Sequence, residues 1–327
     1  MQGFDFYSAD IPPVLRELAA APALGRLKNI GMNCGCEYTR FPRFIGLAPY
    51  SRYTHSLGAG LITWHFTGNE AAAAAALLHD VATPVFAHTV DFLNGDHEKQ
   101  ESTEDRTYAV IASSKELMSA LSRHGLSLEQ AADYHIYPVA DNDAPRLSAD
   151  RLEYTLGNAV NFGFADAQAA RELYGDIRVT ENEDGESELA FLSTERALAF
   201  GRLSLACSRV YTSPEDRYAM QRLSELLKTA LTSGALSEDD LYLDEPAVIR
   251  ILTSHPATAS LWRGFTGLSR MVSCEECPEN ARVIPAKKRR IDPIVIGRGR
   301  LTSLDADYKR ALAGYMDSDF TQPISAR

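Results

Sequence analysis

Apolar residues recur at helical spacing along most of the chain. In residues 13–30, Leu15, Leu18, Ala19, Leu24, Leu27 and Ile30 fall close to one helical face. Pro22 predicts a break there, because proline has no N–H to give to a helical ladder. Residues 56–66 and 70–80 read as two more helices. The second, EAAAAAALLHD, is nearly pure alanine, the strongest helix former, and its small side chains let neighbouring backbones approach closely. Helical spacing continues at 104–124, 128–136, 148–161, 165–174, 193–212, 215–233 and 245–253. One stretch departs from it. Residues 176–193, DIRVTENEDGESELAFLS, place two short runs around Asp184-Gly185, which predicts a β-hairpin. That hairpin carries Asp176, Glu181, Glu183, Asp184, Glu186 and Glu188, and is expected to be solvated. The pattern predicts an all-α protein with a helical core over 1–175, an acidic hairpin over 176–193 and a C-terminal helical extension over 194–327.

Composition narrows the class. The chain has 327 residues, 45% of them hydrophobic, enough to bury a core and too apolar for disorder. With 33 Lys+Arg against 44 Asp+Glu the formal net charge is −11, which argues against extended nucleic acid or an anionic membrane surface as partner. No apolar run reaches membrane-span length, and MQGFDFYSADIPP lacks the basic and apolar regions of a signal peptide. Five cysteines, an odd number and few for this length, fit a reducing cytoplasm. Cys34-Gly35-Cys36 and the Cys274/Cys277 pair lack the four ligands of a zinc site and read as free thiols. Residues 282–300 invert the overall charge, with seven basic side chains and one acid, and their Pro, Gly and Val/Ile content predicts irregular or extended chain. The KKRR run at 287–290 reads as a solvated segment, a subunit contact or a site for an anionic ligand.

Four residues carry the candidate chemistry. His55 opens a helix in SRYTHSLGAG, His79-Asp80 end the alanine helix, and Asp150 lies near the start of another helix in LSADRLEYTLGN. Two imidazoles and two carboxylates form a mixed N/O set suited to one borderline divalent ion, Mn, Fe, Co, Ni or Zn. Four protein ligands leave positions open for water and a phosphate oxygen. Asp150, Tyr154 and Asn158 recur at i, i+4 and i+8, so they share a helix face, with Arg151 at its edge.

The ordered blocks PALGRLKNIGMNCGCEY, SRYTHSLGAG, ALLHDVATPVFAH, HEKQES and DNDAPRLSADRLEYTLGNAVNFG resemble the HD superfamily of metal-dependent phosphohydrolases. The likeness is nearest to its deoxynucleoside-triphosphate triphosphohydrolase branch, and covers about residues 20–163. The resemblance implies an all-α HD-domain core with His55, His79, Asp80 and Asp150 as metal ligands. It implies phosphate or substrate contacts from Arg52, Arg151 and Tyr154, and a general acid/base role for His97, oriented by Asp91. His88 matches the last His of the family's HD-x-G-H-x-P-F-x-H stretch. Three positions depart: Ala82 and Thr83 stand where the family has Gly and His, and Asn158 replaces an Arg.

The reading that follows is a cytoplasmic metal-dependent phosphohydrolase acting on a small phosphorylated substrate, a nucleotide, and assembling as a homo-oligomer. The alternative is a nucleotide-binding regulatory module with a degenerate catalytic centre, motivated by Ala82, Thr83 and Asn158. His65, His124, His135 and His255 read as structural or exposed.

Overall fold

A computed structural model describes residues 6–98, 106–276 and 278–327. Helices dominate it, and the three that carry the candidate ligands pack together at its centre. Arg52–Thr67 begins four residues earlier than the apolar pattern indicates, because Ser51 caps it by accepting from the Thr54 N–H, and Gly68 closes it with a left-handed φ of 59°. The alanine helix, Glu70–Leu78, is capped by Asn69, and Ala71 to Leu78 are all buried. A Cβ at Gly60 would stand 3.1 Å from Leu77 Cβ and 3.2 Å from the Ala73 carbonyl, so small residues on both helices set their close approach. The third helix, Ala149–Asn161, is capped by Ser148 and packs on Arg52–Thr67.

Elsewhere the prediction and the fold part locally. The helix expected over 104–124 is two, Thr107–Ser113 and Lys115–Arg123, because Ser114 turns extended to cap the second through the Leu117 N–H. Thr89–Leu93, Ala259–Gly267 and Ala306–Met316 are helices that the apolar spacing does not predict; the last carries Asp305 as its cap. Two apolar clusters form the interior. One runs from Tyr7 to Tyr315 and the other from Cys34 to Ala326, so each draws on early and late parts of the chain. Among the described residues no helix is long and apolar enough to cross a membrane.

The hairpin is present as Ile177–Glu181 paired antiparallel with Ser187–Phe191. It is not simply solvated. Ser187–Phe191 also pairs in parallel with Ile294–Val295, which turns back onto Gly299–Arg300, giving a four-stranded sheet. Glu188 is fully buried and accepts from Arg300 at 2.6 and 2.9 Å and from the Leu147 N–H at 3.0 Å. Arg300 also reaches Glu183 at 2.8 Å, and Arg146 pairs with Glu186 at 2.6 Å and with Asp184. The physical reason is charge: the acidic hairpin and the basic 282–300 segment neutralise each other, and sheet pairing locks the contact.

Removing one member of such a buried pair strands the other. We expect Arg300→Leu to lower stability by about 3 kcal/mol, and Arg300→Leu with Glu188→Leu to recover much of the loss. Urea unfolding of the three proteins checks this; equal stability of wild type and Arg300→Leu would refute it.

Candidate metal centre

Three capped helices bring three of the predicted ligands, His55, His79 and Asp80, into one group and set the fourth, Asp150, beside the two imidazoles. His55 lies in the first turn of its helix, His79 and Asp80 directly follow the alanine helix, and Asp150 lies in the first turn of the third. His55 Nε2 is 3.2 Å from His79 Nε2, 3.0 Å from Asp150 Oδ1 and 3.8 Å from Asp80 Oδ2. His79 Nε2 is 3.5 Å from both Asp80 Oδ2 and Asp150 Oδ1. Ligand atoms held about 2.1 Å from a shared ion are themselves about 3.0–3.4 Å apart, so this spacing fits one divalent metal. His55, His79 and Asp80 each offer a ligand atom within 4.8 Å of the other two, close enough for one ion to touch all three.

The other face of each imidazole supports the same conclusion. His55 Nδ1 is 2.6 Å from Glu153 Oε2, and His79 Nδ1 is 2.7 Å from the Ala76 carbonyl oxygen. With both Nδ1–H groups donated outward, the Nε2 lone pairs face the shared point. Without an ion, burial disfavours a charged His55, but Asp150 and Glu153 outweigh it and push its pKa up to about 10. Burial likewise opposes ionisation of Asp80 and Asp150. The Arg52 guanidinium and both imidazoles still hold Asp80 well below the usual carboxylate range, and His55 does most of the same for Asp150. A proton on His55 thus sits where a metal ion would replace it.

Glu153 has no place in the sequence reading, yet it anchors the centre. It is fully buried, Tyr50 donates to its Oε2 at 2.5 Å, and burial raises its pKa against the pull of His55 and Tyr50. Two glycines make the room. A Cβ on Gly58 would lie 2.6 Å from Glu153 Cγ, and one on Gly157 would lie 2.2 Å from Tyr50 Oη. The available signal is Glu153 one turn beyond Asp150, with glycines on the two facing helices.

The donors open onto a cavity of about 410 Å³. A smaller one of about 250 Å³ shares Arg52, His79, Asp80 and His88 with it. Arg52, a predicted phosphate contact, donates to Asp80 Oδ2 at 3.0 Å and lines both cavities. Thr83, at one of the departing positions, donates to the other Asp80 oxygen at 2.8 Å and, with Ala82, lines the smaller cavity. Asp150, Tyr154 and Asn158 all face the larger cavity. Arg151 lines it too, but its Nη1 is held by Asp141 at 3.0 Å and Asn142 at 2.8 Å. Asn158 donates to Tyr211 Oη at 2.8 Å, and its buried carboxamide oxygen has no partner.

The expected His97–Asp91 arrangement is replaced by another. Asp91 Oδ2 lies 2.9 Å from His88 Nδ1, while His97 Nε2 lies 3.0 Å from Gln221 Oε1 and its ring packs 4.4 Å from Phe92. His88 lines both cavities and His97 neither, because the turn after Thr89–Leu93 carries His97 to the Gln221 side. Burial, with help from Arg289 and Arg52 and against the pull of Asp91, lowers the His88 pKa to about 4. His135, read as structural or exposed, also borders both cavities, and neighbouring Tyr134 stands 5.1 Å from the His79 ring. Cys34, Cys36, Cys207 and Cys274 are free thiols; Cys277 and the 99–102 part of HEKQES lie outside the described residues.

Outer partners such as Glu153 commonly contribute about 10–100-fold to metal affinity. Calorimetric metal titration of Glu153→Gln is expected to show a loss in that range with the fold intact by circular dichroism. Unchanged affinity would remove Glu153 from the centre.

No family model matches the chain. Over 293 residues it is 25% identical to the metal-dependent phosphohydrolase cns2 of Cordyceps militaris, covering 88% of this chain and 81% of that protein. It is 28% identical over 246 residues to the uncharacterized protein YdhJ of Bacillus subtilis, covering 74% and 71%. The fold matches the crystal structure of a phosphohydrolase from Bacteroides thetaiotaomicron, with a TM-score of 0.63 at 16% identity over 97% of this chain and 96% of that one. It also matches a hypothetical protein from Aquifex aeolicus, with a TM-score of 0.57 at 17% identity over 97% and 92%. The chain is therefore similar along most of its length to a metal-dependent phosphohydrolase, and it shares its fold with a phosphohydrolase.

Proposed function

We propose that this chain is a metal-dependent phosphohydrolase of the HD type, cleaving a phosphoester or phosphoanhydride of a small phosphorylated substrate, and that the substrate is a nucleotide. The observation that carries this reading is the grouping of His55, His79 and Asp80 within 4.8 Å of one another, with Asp150 Oδ1 3.0 and 3.5 Å from the two imidazoles, at a cavity of about 410 Å³, within the usual range for a small-molecule site. The similarity to cns2 supports the reaction class. Tyr134, Tyr154, Phe162 and Tyr211 line the cavity and offer apolar faces for a base and sugar. The free thiols fit the cytoplasm, and assembly as a homo-oligomer belongs to the same reading.

His55, His79, Asp80 and Asp150 would hold one divalent ion, which when bound supplies Lewis-acid polarisation of a phosphoryl oxygen and acidifies water. The protein's own groups do the rest. Arg52 lies between Asp80 and both cavities, and its guanidinium offsets charge developing on phosphate oxygens. Thr83 and Arg52 together fix the Asp80 carboxylate. Glu153 fixes the orientation of His55. His88, neutral at neutral pH, takes a proton at Nε2, and Asp91 on Nδ1 stabilises the imidazolium that results. His97 has no part in this scheme, since its ring lies against Phe92 and Gln221. Tyr154, beside the Asp150 turn, contacts substrate. The triphosphohydrolase-like form of the reaction rests on the ordered sequence blocks, and Ala82, Thr83 and Asn158 are where it departs.

The test is a screen of deoxynucleoside and ribonucleoside triphosphates, monophosphates and cyclic nucleotides with Mn²⁺, Fe²⁺, Co²⁺, Ni²⁺, Zn²⁺ and Mg²⁺, resolving phosphate, pyrophosphate and triphosphate as products. Metal-dependent turnover is expected, falling at least about 100-fold in Asp80→Ala and Asp150→Ala. Full activity after Asp150→Ala would overturn the reading. Tight nucleotide binding without turnover under every metal would favour the regulatory alternative instead.

A further inference from the structure

The basic run that inverts the chain's charge is folded onto the metal cavity. Lys287, Lys288, Arg289 and Arg290 border the same space as His55, His79, Asp80 and Asp150, although they lie far beyond Asp150 in sequence. The run is a strap tied at both ends. Ile284 and Ile291 are each 1% exposed, and they belong to different apolar clusters. Arg217 donates to the Ile284 carbonyl and Tyr308 to the Ile291 carbonyl, each at 2.5 Å, and the Asp292 N–H donates to the Pro145 carbonyl at 2.8 Å. Residues 285–290 cross between these anchors without regular secondary structure.

Within the strap the cations have different tasks. Lys288 Nζ donates to the Met316 and Ser318 carbonyls, at the negative end of the Ala306–Met316 helix, and fastens the strap's middle. Arg289 is aimed. Its Nη2 lies 3.3 Å from His88 Nε2, and Asp91, 1% exposed, takes the His88 Nδ1–H. His88 Nε2 is thereby an acceptor, so the guanidinium donates to it, and the chain Asp91–His88–Arg289 fixes where that group points. A guanidinium presents its N–H donors as a planar fork that matches a phosphoryl group.

The carboxylates that border the cavity are Asp80, Asp141, Asp143, Asp150 and Asp216. Asp80 and Asp150 are ligands of the proposed ion, and Asp141 holds Arg151. Asp216, whose pKa burial pushes up to about 8, is largely uncharged at neutral pH.

We propose that the strap is an oxyanion subsite of the cavity: Arg289, positioned by His88 and Asp91, with Lys287 and Arg290, binds a phosphoryl group of the substrate other than the one at the metal donors. The assignment rests on the phosphohydrolase reading for the metal side, whereas anion binding by the strap needs no turnover.

The test is calorimetric titration of the full-length, metal-loaded protein with inorganic phosphate, pyrophosphate and tripolyphosphate. Wild type is expected to bind tripolyphosphate at least about tenfold more tightly than phosphate, and Arg289→Ala to lose at least about tenfold in tripolyphosphate affinity. Arg289→Lys is expected to fall between them, since it keeps the charge and loses the fork. Arg290→Ala and Lys287→Ala, which border the same cavity, report on the subsite if Arg289→Ala fails to fold. Equal affinity of wild type for the three anions, or wild-type tripolyphosphate binding by all the folded strap variants, would overturn the proposal. The two readings separate cleanly: metal-dependent turnover with an unaltered KM in the strap variants keeps the phosphohydrolase and removes the subsite. A strap-dependent gradient of anion affinity in a protein that turns nothing over keeps the subsite and removes the phosphohydrolase.

Discussion

The centre of this protein is organised by the short hydrogen bond between His55 Nδ1 and the fully buried Glu153 carboxylate. A buried carboxylate is costly without partners, and Glu153 has two that are themselves buried, His55 and Tyr50. Both bond its Oε2, and that contact dictates much else. Gly58 and Gly157 are small because a side chain at either would collide with Glu153 or Tyr50. The same bond gives His55 one orientation, turning Nε2 toward His79, Asp80 and Asp150. The alanine helix does the equivalent for His79 through the Ala76 carbonyl, and its small side chains let it pack against the helix that carries His55.

A second balance of charge operates at longer range. The acidic hairpin and the basic 282–300 segment look like separate, oppositely charged surface features in the sequence. In the fold Glu188 and Glu183 hold Arg300, and the strands Ser187–Phe191 and Ile294–Val295 pair side by side. This contact fixes the chain just after residue 290, so the KKRR run cannot drift from the cavity. Stability and the electrostatics of the site are thereby linked through one sheet.

The parts of the fold legible in the sequence are those governed by local rules. Helical spacing and the His-Asp pattern find the ligand helices and the residues that meet there, because a ligand in a capped first turn depends on a few neighbours. Asp150, Tyr154 and Asn158 reach the cavity for the same reason, since their four-residue spacing follows one helix face. What is not legible depends on distant packing. Glu153 is an ordinary helix glutamate in the sequence until Tyr50 and His55 close on it in the fold. Family likeness pairs Asp91 with His97, whereas the short Thr89–Leu93 helix puts it within reach of His88, one turn earlier. The hairpin's acidity reads as solvation because its counter-charge, Arg300, lies 112 residues beyond Glu188.

The departures from the family pattern are not simple losses at the metal. Thr83 replaces a histidine yet keeps hold of the centre, by donating to the Asp80 oxygen that Arg52 does not use. Ala82 and Thr83 are both smaller than an imidazole, and the space beside them is a cavity of about 250 Å³ that shares lining residues with the ligands. Asn158 removes a cation from the ligand helix, while the strap brings Arg289 to the same cavity from a remote part of the chain. On the strap proposal, the anion-holding charge comes from the strap, and Asn158 on the ligand helix donates to Tyr211 instead. Thr83 thus has a definite partner in Asp80, and Asn158 a definite partner in Tyr211.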